Sequence, residues 1–378
     1  PTPPATVEAR PPTTTAISRP APPQGEAPRA PGHSRRPYRH YAAAPASMMA
    51  LPPAMIPTIA QALEKAKKPS VIWLSFQECT GCTESLTRAQ AATIENLIFD
   101  AISLDYHHTL QAASGHAAEA AREAAMKEHD GQYLLVVDGS IPIGNPGYST
   151  IAGISNVDML TDTAKGAAAI ISVGSCAAFG GIANAKPDPT GAVAVSAIIK
   201  DKPIINVPGC PPIPGVITGV LTHFLTFGTI PELDHLGRPK AFFGQSIHDR
   251  CYRRPFYDRG LFAETFDDEG ARQGWCLFKL GCKGPSTYNA CATMKWNGGV
   301  SFPIEAGHPC IGCSEPHFWD GGGFYKALSM PTGNVSENAV YAAAGAAVGA
   351  VAVSALNRAK KKKATEAHEE VTVDDLTK

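Results

Sequence analysis

The chain has 378 residues, and its 33 Lys and Arg against 34 Asp and Glu leave a formal net charge of −1, which makes no electrostatic case for nucleic-acid binding. That length suits about two domains with hydrophobic cores of their own, and no solenoid-type repeat is visible. Ten cysteines in so long a chain are not a disulfide framework, a device of small secreted domains that lack a core.

Residues 1–62 stand apart. They hold 15 of the 33 prolines, no cysteine, and six arginines against two glutamates. A segment of this kind buries too little apolar surface to offset its ordering entropy. Within it, Ser34-Arg35-Arg36 precedes an Ala/Met-rich stretch over 42–60 and then Ala60-Gln61-Ala62. This looks like a twin-arginine export signal with an Ala-x-Ala cleavage site, and a mature chain is expected from Leu63. A proline-rich disordered tail is the alternative reading.

Residues 63–230 read as α/β. Val71-Ile72-Trp73-Leu74, Tyr133 to Asp138, Ala169 to Val173 and Ile204 to Val207 are short apolar runs, as strands buried in a parallel sheet would be. Thr83 opens a helix-like stretch through Phe99. The runs at 71, 169 and 204 are each followed within a few residues by a cysteine. Open parallel sheets place ligands beyond the carboxyl ends of their strands, so a flavodoxin-like domain is expected here.

Residues 231–330 carry turns, aromatics and glycines with little periodicity, and such a region takes much of its order from bound metal. Within 331–378, Ala339 to Leu356 is 18 residues without a charge, followed by Arg358 and four lysines over 360–363. A stretch of about 18–20 apolar residues can span a bilayer, with flanking lysines marking the cytoplasmic side. Gly345-x-x-x-Gly349 suits packing against a partner helix. The stretch is rich in alanine, so a helix lying on the membrane surface or in water is the alternative.

All the cysteines fall between residues 79 and 313: Cys79, Cys82, Cys176, Cys210, Cys251, Cys276, Cys282, Cys291, Cys310 and Cys313. Iron–sulfur clusters take about four thiolates each, with histidine sometimes replacing one. His248-x-x-Cys251 supplies such a histidine, and eleven ligands divide into four, four and three. A single Cys-x-x-Cys could instead be half a zinc site, a redox pair or a disulfide. Zinc ribbons, however, want two pairs close together, and Cys79/Cys82 lie over 200 residues from Cys310/Cys313. Glycines beside nearly every site allow backbone N–H groups to approach sulfide closely.

The set of motifs from about Ser70 to about Gly323 resembles the small subunit of nickel–iron hydrogenases. Gln77-Glu78-Cys79-Thr80-Gly81-Cys82-Thr83-Glu84-Ser85, Gly174-Ser175-Cys176-Ala177 and Val207-Pro208-Gly209-Cys210-Pro211-Pro212 are similar to its first cluster motif. His248-Asp249-Arg250-Cys251-Tyr252-Arg253-Arg254, Lys279-Leu280-Gly281-Cys282-Lys283-Gly284-Pro285 and Cys310-Ile311-Gly312-Cys313 complete the likeness. The resemblance implies a proximal [4Fe–4S] cluster on Cys79, Cys82, Cys176 and Cys210. It implies a distal [4Fe–4S] cluster on His248, Cys251, Cys276 and Cys282, and a medial [3Fe–4S] cluster on Cys291, Cys310 and Cys313. The fourth medial corner falls at Pro303, which cannot bind iron. Oxygen-tolerant relatives carry two further cysteines where this chain has Gly81 and Gly181, so the standard oxygen-sensitive type is implied.

The resemblance further implies a heterodimer in which this chain carries electrons for H2 ⇌ 2 H+ + 2 e−, with no catalytic residue of its own. It lacks the paired Cys-x-x-Cys motifs near both termini that mark the nickel-binding large subunit. Implied with it are a periplasmic location, attachment to the inner membrane through 339–356, and a cytochrome as outside carrier. Glu78, before the first ligand, is either a solvated loop carboxylate or a proton relay facing the partner's metal site. Arg250, Arg253, Arg254 and Lys283 are either solvated or act on the distal site. Three rivals remain: a cluster-bearing subunit of a quinone-reducing respiratory complex, a ferredoxin-like carrier, and a zinc-structured binding module. The first has adjacent cysteines where this chain has Cys79-x-x-Cys82, and carriers are shorter.

Overall fold

Apolar side chains recurring along the strands dictate a sheet covered on both faces. The computed structural model describes residues 68–90 and 93–327, together with Ala54 and Ile56. Five strands, β1 (Ser70–Ser75), β2 (Ser103–His107), β3 (Tyr133–Asp138), β4 (Ala167–Val173) and β5 (Ile204–Val207), pair in the order β2-β1-β3-β4-β5. Every pairing is parallel, and the order is that of flavodoxin-like doubly wound sheets. Val71, Trp73, Leu134 and Val136 join one buried cluster, while Ile72, Leu74, Leu135 and Val137 join another. The two-residue period of a strand requires this division.

The five longest helices that accompany the sheet are α1 (Gly81–Thr87), α2 (His116–Glu128), α3 (Asn156–Lys165), α4 (Gly174–Phe179) and α5 (Pro214–Phe227). On one face, α2 and α3 contribute Ala118, Ala125, Met159, Leu160 and Ala164. On the other, α5 contributes Val216, Ile217, Val220 and Leu221, a single helical stripe. Pro214 starts α5, and Gly228, at φ 62°, ends it in the left-handed conformation that favours glycine.

The helix expected from Thr83 through Phe99 is broken. α1 closes at Thr87, whose hydroxyl donates to the Glu84 carbonyl at 2.7 Å, while Arg88 N–H turns to Ser85. Helical structure resumes at Ile94–Asn96 behind a Thr93 cap. Back-bonding of a threonine at a helix end competes with the ladder that would continue it.

Beyond residue 231, among the described residues, the α-helices have only four or five residues, such as Lys240–Phe243, Ile247–Arg250, Arg254–Asp258 and Cys291–Met294. Low regular structure was the expectation for this part. Its Phe242, Phe243, Leu277, Leu280, Phe302 and Ile304 extend the α5-side cluster, which also takes in Cys282, Cys291 and Cys310. Among the described residues no helix is long and apolar enough to cross a membrane. The export-signal stretch over 34–62 and the apolar stretch over 339–356 lie outside the described residues.

Candidate metal centres

Three strand tips converge on the first group of thiols. Cys79 follows the end of β1, Cys176 the end of β4, and Cys210 the end of β5, while Cys82 sits in the first turn of α1. Glycine makes the packing possible. At Gly174, with φ +87°, a Cβ would run into Cys82 Sγ, and at Gly181, with φ +59°, it would stand 2.5 Å from Cys176 Sγ. A Cβ at Gly81 would lie 3.1 Å from Cys79 Sγ. Burial pushes the Cys176 thiol up to about 11, and the neighbouring Cys210 and Cys79 push the same way. Burial also raises Cys82 well above its usual range, helped by Asp138, Cys176 and Cys79. Cys79 and Cys210 are exposed, so this group opens onto the surface.

Glu78 lies behind that opening. Its Oε1 accepts from Thr80 Oγ1 at 3.2 Å, and its Oε2 is buried without a partner. Burial and then the Asp138 charge push it up to about 7. Asp138, fully buried at the end of β3, accepts from Thr83 Oγ1 at 3.4 Å through one oxygen and leaves the other unpaired. Thr83 in turn meets His107 Nε2 at 3.3 Å. The Thr109 N–H donates to His107 Nδ1 at 3.1 Å, so the ring proton is on Nε2 and points at Thr83. Sequence reading singled out Glu78 and missed the Asp138, Thr83 and His107 groups behind it. Of these three, only Thr83, inside the first motif, gave a signal.

His248, Cys251, Cys276 and Cys282 line one small cavity, so the second predicted group is brought together. The His248 ring stands edge-on to Tyr257, with centroids 4.5 Å apart. Burial, then the charge of Arg254, lowers its pKa and favours the neutral imidazole that metals bind. Burial pushes Cys276 up to about 11 and raises Cys251 and Cys282. Of the four cations named from sequence, Arg253 lines this cavity at 5% exposure. It donates to Tyr252 Oη and to the Trp275 carbonyl, both at 2.7 Å, and makes no ion pair among the described residues. Arg254 lines the cavity too, but pairs with Asp258 at 2.7 Å, and Arg250 bonds Gln245.

Cys291, Cys310 and Cys313 form the third group, and burial pushes each thiol up to about 12. This group is the middle one. Cys313 lies within electrostatic reach of both Cys291 and Cys210, and Cys310 of both Cys313 and Cys282. Pro303 is exposed between Phe302 and Ile304, which are buried in the apolar cluster that holds Cys291 and Cys310. Its carbonyl accepts the His308 N–H at 2.8 Å.

The donor sets fit iron–sulfur clusters. The nine thiols whose pKa burial raises bind as thiolates only beside a compensating cation, and a metal deprotonates a thiol outright. The glycines leave cradles against sulfur that a Cβ would fill. Among the described residues no three His, Cys, Asp or Glu side chains close on one point as a single ion requires. Cluster thiolates stand further apart, because several irons share the site.

Two family descriptions match. Residues 243–326 match the C-terminal family of the NiFe/NiFeSe hydrogenase small subunit, and residues 79–224 match the family of the 20 Kd subunit of NADH ubiquinone oxidoreductase. The second match covers the sheet domain that the rival respiratory reading would share. Uptake hydrogenase small subunits from Azotobacter vinelandii and Cupriavidus necator are 48% and 49% identical, over 88% and 89% of this chain and 95% and 96% of theirs. The structure is similar to that of the Ni-Fe-Se hydrogenase from Desulfomicrobium baculatum in a reduced, active form. That likeness has a TM-score of 0.65 at 37% identity and covers 69% of this chain and all of the other. With thiols in three neighbouring groups and identity of this order along nearly its whole length, the chain belongs to the small-subunit family of nickel–iron hydrogenases, the electron-transfer subunits of those oxidoreductases.

Proposed function

We propose that the chain conducts electrons for H2 ⇌ 2 H+ + 2 e− between the nickel–iron site of a large subunit and an outside carrier, through three sites. Cys79, Cys82, Cys176 and Cys210 hold a proximal [4Fe–4S] cluster. Cys291, Cys310 and Cys313 hold a medial [3Fe–4S] cluster, and His248, Cys251, Cys276 and Cys282 hold a distal [4Fe–4S] cluster. Bound iron–sulfur clusters supply one-electron carriers whose potentials follow charge, hydrogen bonding and exposure.

One observation carries this reading: the order of the thiols, in which Cys210 neighbours Cys313 and Cys310 neighbours Cys282. Exposed Cys79 and Cys210 mark the face for the large subunit. Glu78, with a pKa of about 7, suits proton exchange with the partner's site near neutral pH. Glycine at positions 81 and 181 supports the standard oxygen-sensitive type. The Ser34-Arg35-Arg36 stretch and the apolar run over 339–356 support export to the periplasm, anchorage at the inner membrane, and a cytochrome as carrier. The division at 62, 230 and 330 follows the same sequence signals.

Metal analysis of the native complex tests the reading. Nickel in the complex and about eleven irons with acid-labile sulfide on this chain are expected. Zinc in place of iron overturns it.

A further inference from the structure

Ser175 lies where the first group of thiols meets the middle one. It is 2% exposed, directly precedes Cys176, and follows Gly174, which packs on Cys82 Sγ. Its N–H donates to the Gly209 carbonyl at 2.9 Å, and its Oγ accepts the Gly209 N–H at 3.0 Å. Gly209 directly precedes Cys210. The same Oγ donates its proton to the carbonyl of Cys313. One hydroxyl therefore ties together the backbones that carry Cys176, Cys210 and Cys313.

The joint has little slack. A Cβ at Gly209 would stand 2.6 Å from Pro212 Cα, so the turn that carries Cys210 closes tightly on itself and admits only glycine there. The hydroxyl has one proton to give, and accepting from Gly209 leaves that proton aimed at Cys313. Neither neighbouring residue type can replace it. Glycine and alanine have no hydroxyl, and the part-buried carbonyl of Cys313 would lose its donor.

We propose that Ser175 is a positioning residue for electron passage, its hydroxyl fixing the separation between the site of Cys176 and Cys210 and the site of Cys313. The inference rests on the three-site reading above. Passage of one electron oxidises the first site by one unit and reduces the middle site by one. H2 supplies the electron through the partner, and the rate falls steeply with any widening of the gap.

The test uses the purified heterodimeric complex and compares wild type, Ser175→Ala and Ser175→Thr. Two quantities are read besides iron content. One is the spin-relaxation rate of the reduced first site in dithionite-reduced protein, which depends on its distance from the reduced middle site and needs no turnover. The other is the rate at which the middle site's [3Fe–4S] signal is lost after rapid mixing with H2. Ser175→Ala should keep its iron, relax more slowly and lose the signal several-fold more slowly, while Ser175→Thr, which keeps the donor, restores both. Should Ser175→Ala fail to assemble, Ser175→Cys, with a longer and weaker donor, is read the same way. Relaxation and rate unchanged in the assembled variant overturn this inference alone. Wild-type protein without a three-iron signal overturns the three-site reading and this inference with it.

Discussion

The backbone N–H of Lys283 donates to the carbonyl of Cys310 at 2.8 Å. Lys283 directly follows Cys282, so the chain beside a thiol of the His248 cavity is bonded to the chain that carries Cys310. The Lys283 side chain, 6% exposed, runs past Gly312 and donates through Nζ to the carbonyls of Gly321 and Gly322 at 2.9 and 3.4 Å. It makes no ion pair among the described residues. Carbonyls alone hold this buried side chain, so Lys283 ties the chain beside Cys282 to the turn at Gly321 and Gly322 as well as to Cys310.

Cys176→Ala removes one proximal thiolate while leaving α4 and the strand tips in place. Iron on this chain should fall from about eleven towards about seven, with the three-iron signal intact. Hydrogen oxidation should fall by more than about 100-fold, since even residues that only orient ligands are worth 10–100-fold. Full activity at unchanged iron content removes Cys176 from the site.

Pro303→Cys offers a thiolate at the fourth medial corner. The carbonyl that accepts from His308 N–H is retained, and a proline φ near −65° is one that cysteine adopts freely. The oxidised protein should lose its [3Fe–4S] signal and gain a fourth medial iron, with a lower medial potential. If signal and potential are those of the wild type, the medial assignment fails.

Glu78→Gln removes an ionisation that burial and Asp138 place at about 7. Below that pH the carboxyl carries a proton and above it does not, so a glutamine neither takes nor gives one. Hydrogen turnover and H/D exchange should fall on the order of 100-fold, the scale of general acid–base catalysis. Reduction of the clusters by dithionite should be unaffected. Unchanged exchange excludes a relay through Glu78.

Asp138→Asn addresses the buried carboxyl that burial pushes up to about 6 from 3.8. The folded protein keeps a proton there that the unfolded chain releases. The group therefore costs nothing below pH 3.8, and its penalty grows until pH 6 and then stays constant. A rise of that size is worth on the order of 3 kcal/mol, less what an unpaired amide N–H costs in the same place. An amide oxygen still accepts from Thr83, so a gain of about 1–2 kcal/mol is expected at pH 8 and a smaller one at pH 5. Equal shifts in thermal midpoint at both pH values would falsify the assignment of the penalty to ionisation.

Much of this molecule was legible in its residues. The runs at 71, 133, 169 and 204 became β1, β3, β4 and β5 because a strand buried on both faces reads as a continuous apolar run. β2 was missed, since Ser103–His107 is an edge strand with three half-buried positions and polar residues among them. The helix over 83–99 was overread, because apolar spacing says nothing of a threonine turned back on its own carbonyl. The cysteines declared a metal chemistry by their number, and the motif pieces assigned them to three sites.

What the chain determines by itself, then, is which residue types are candidates to meet metal and that three of these thiols lie at strand ends, because alternation and spacing are local properties. The tertiary structure decided the rest. It singled out Arg253 as the buried cation of the distal cavity that no carboxylate pairs, and left Arg250 bonded to Gln245 and Arg254 paired with Asp258. It set Asp138 behind Cys82, and it brought Ser175 against Cys313 across 138 residues of sequence. Such relations depend on long-range packing, where burial and hydrogen bonding are settled by elements that have no common spacing along the chain.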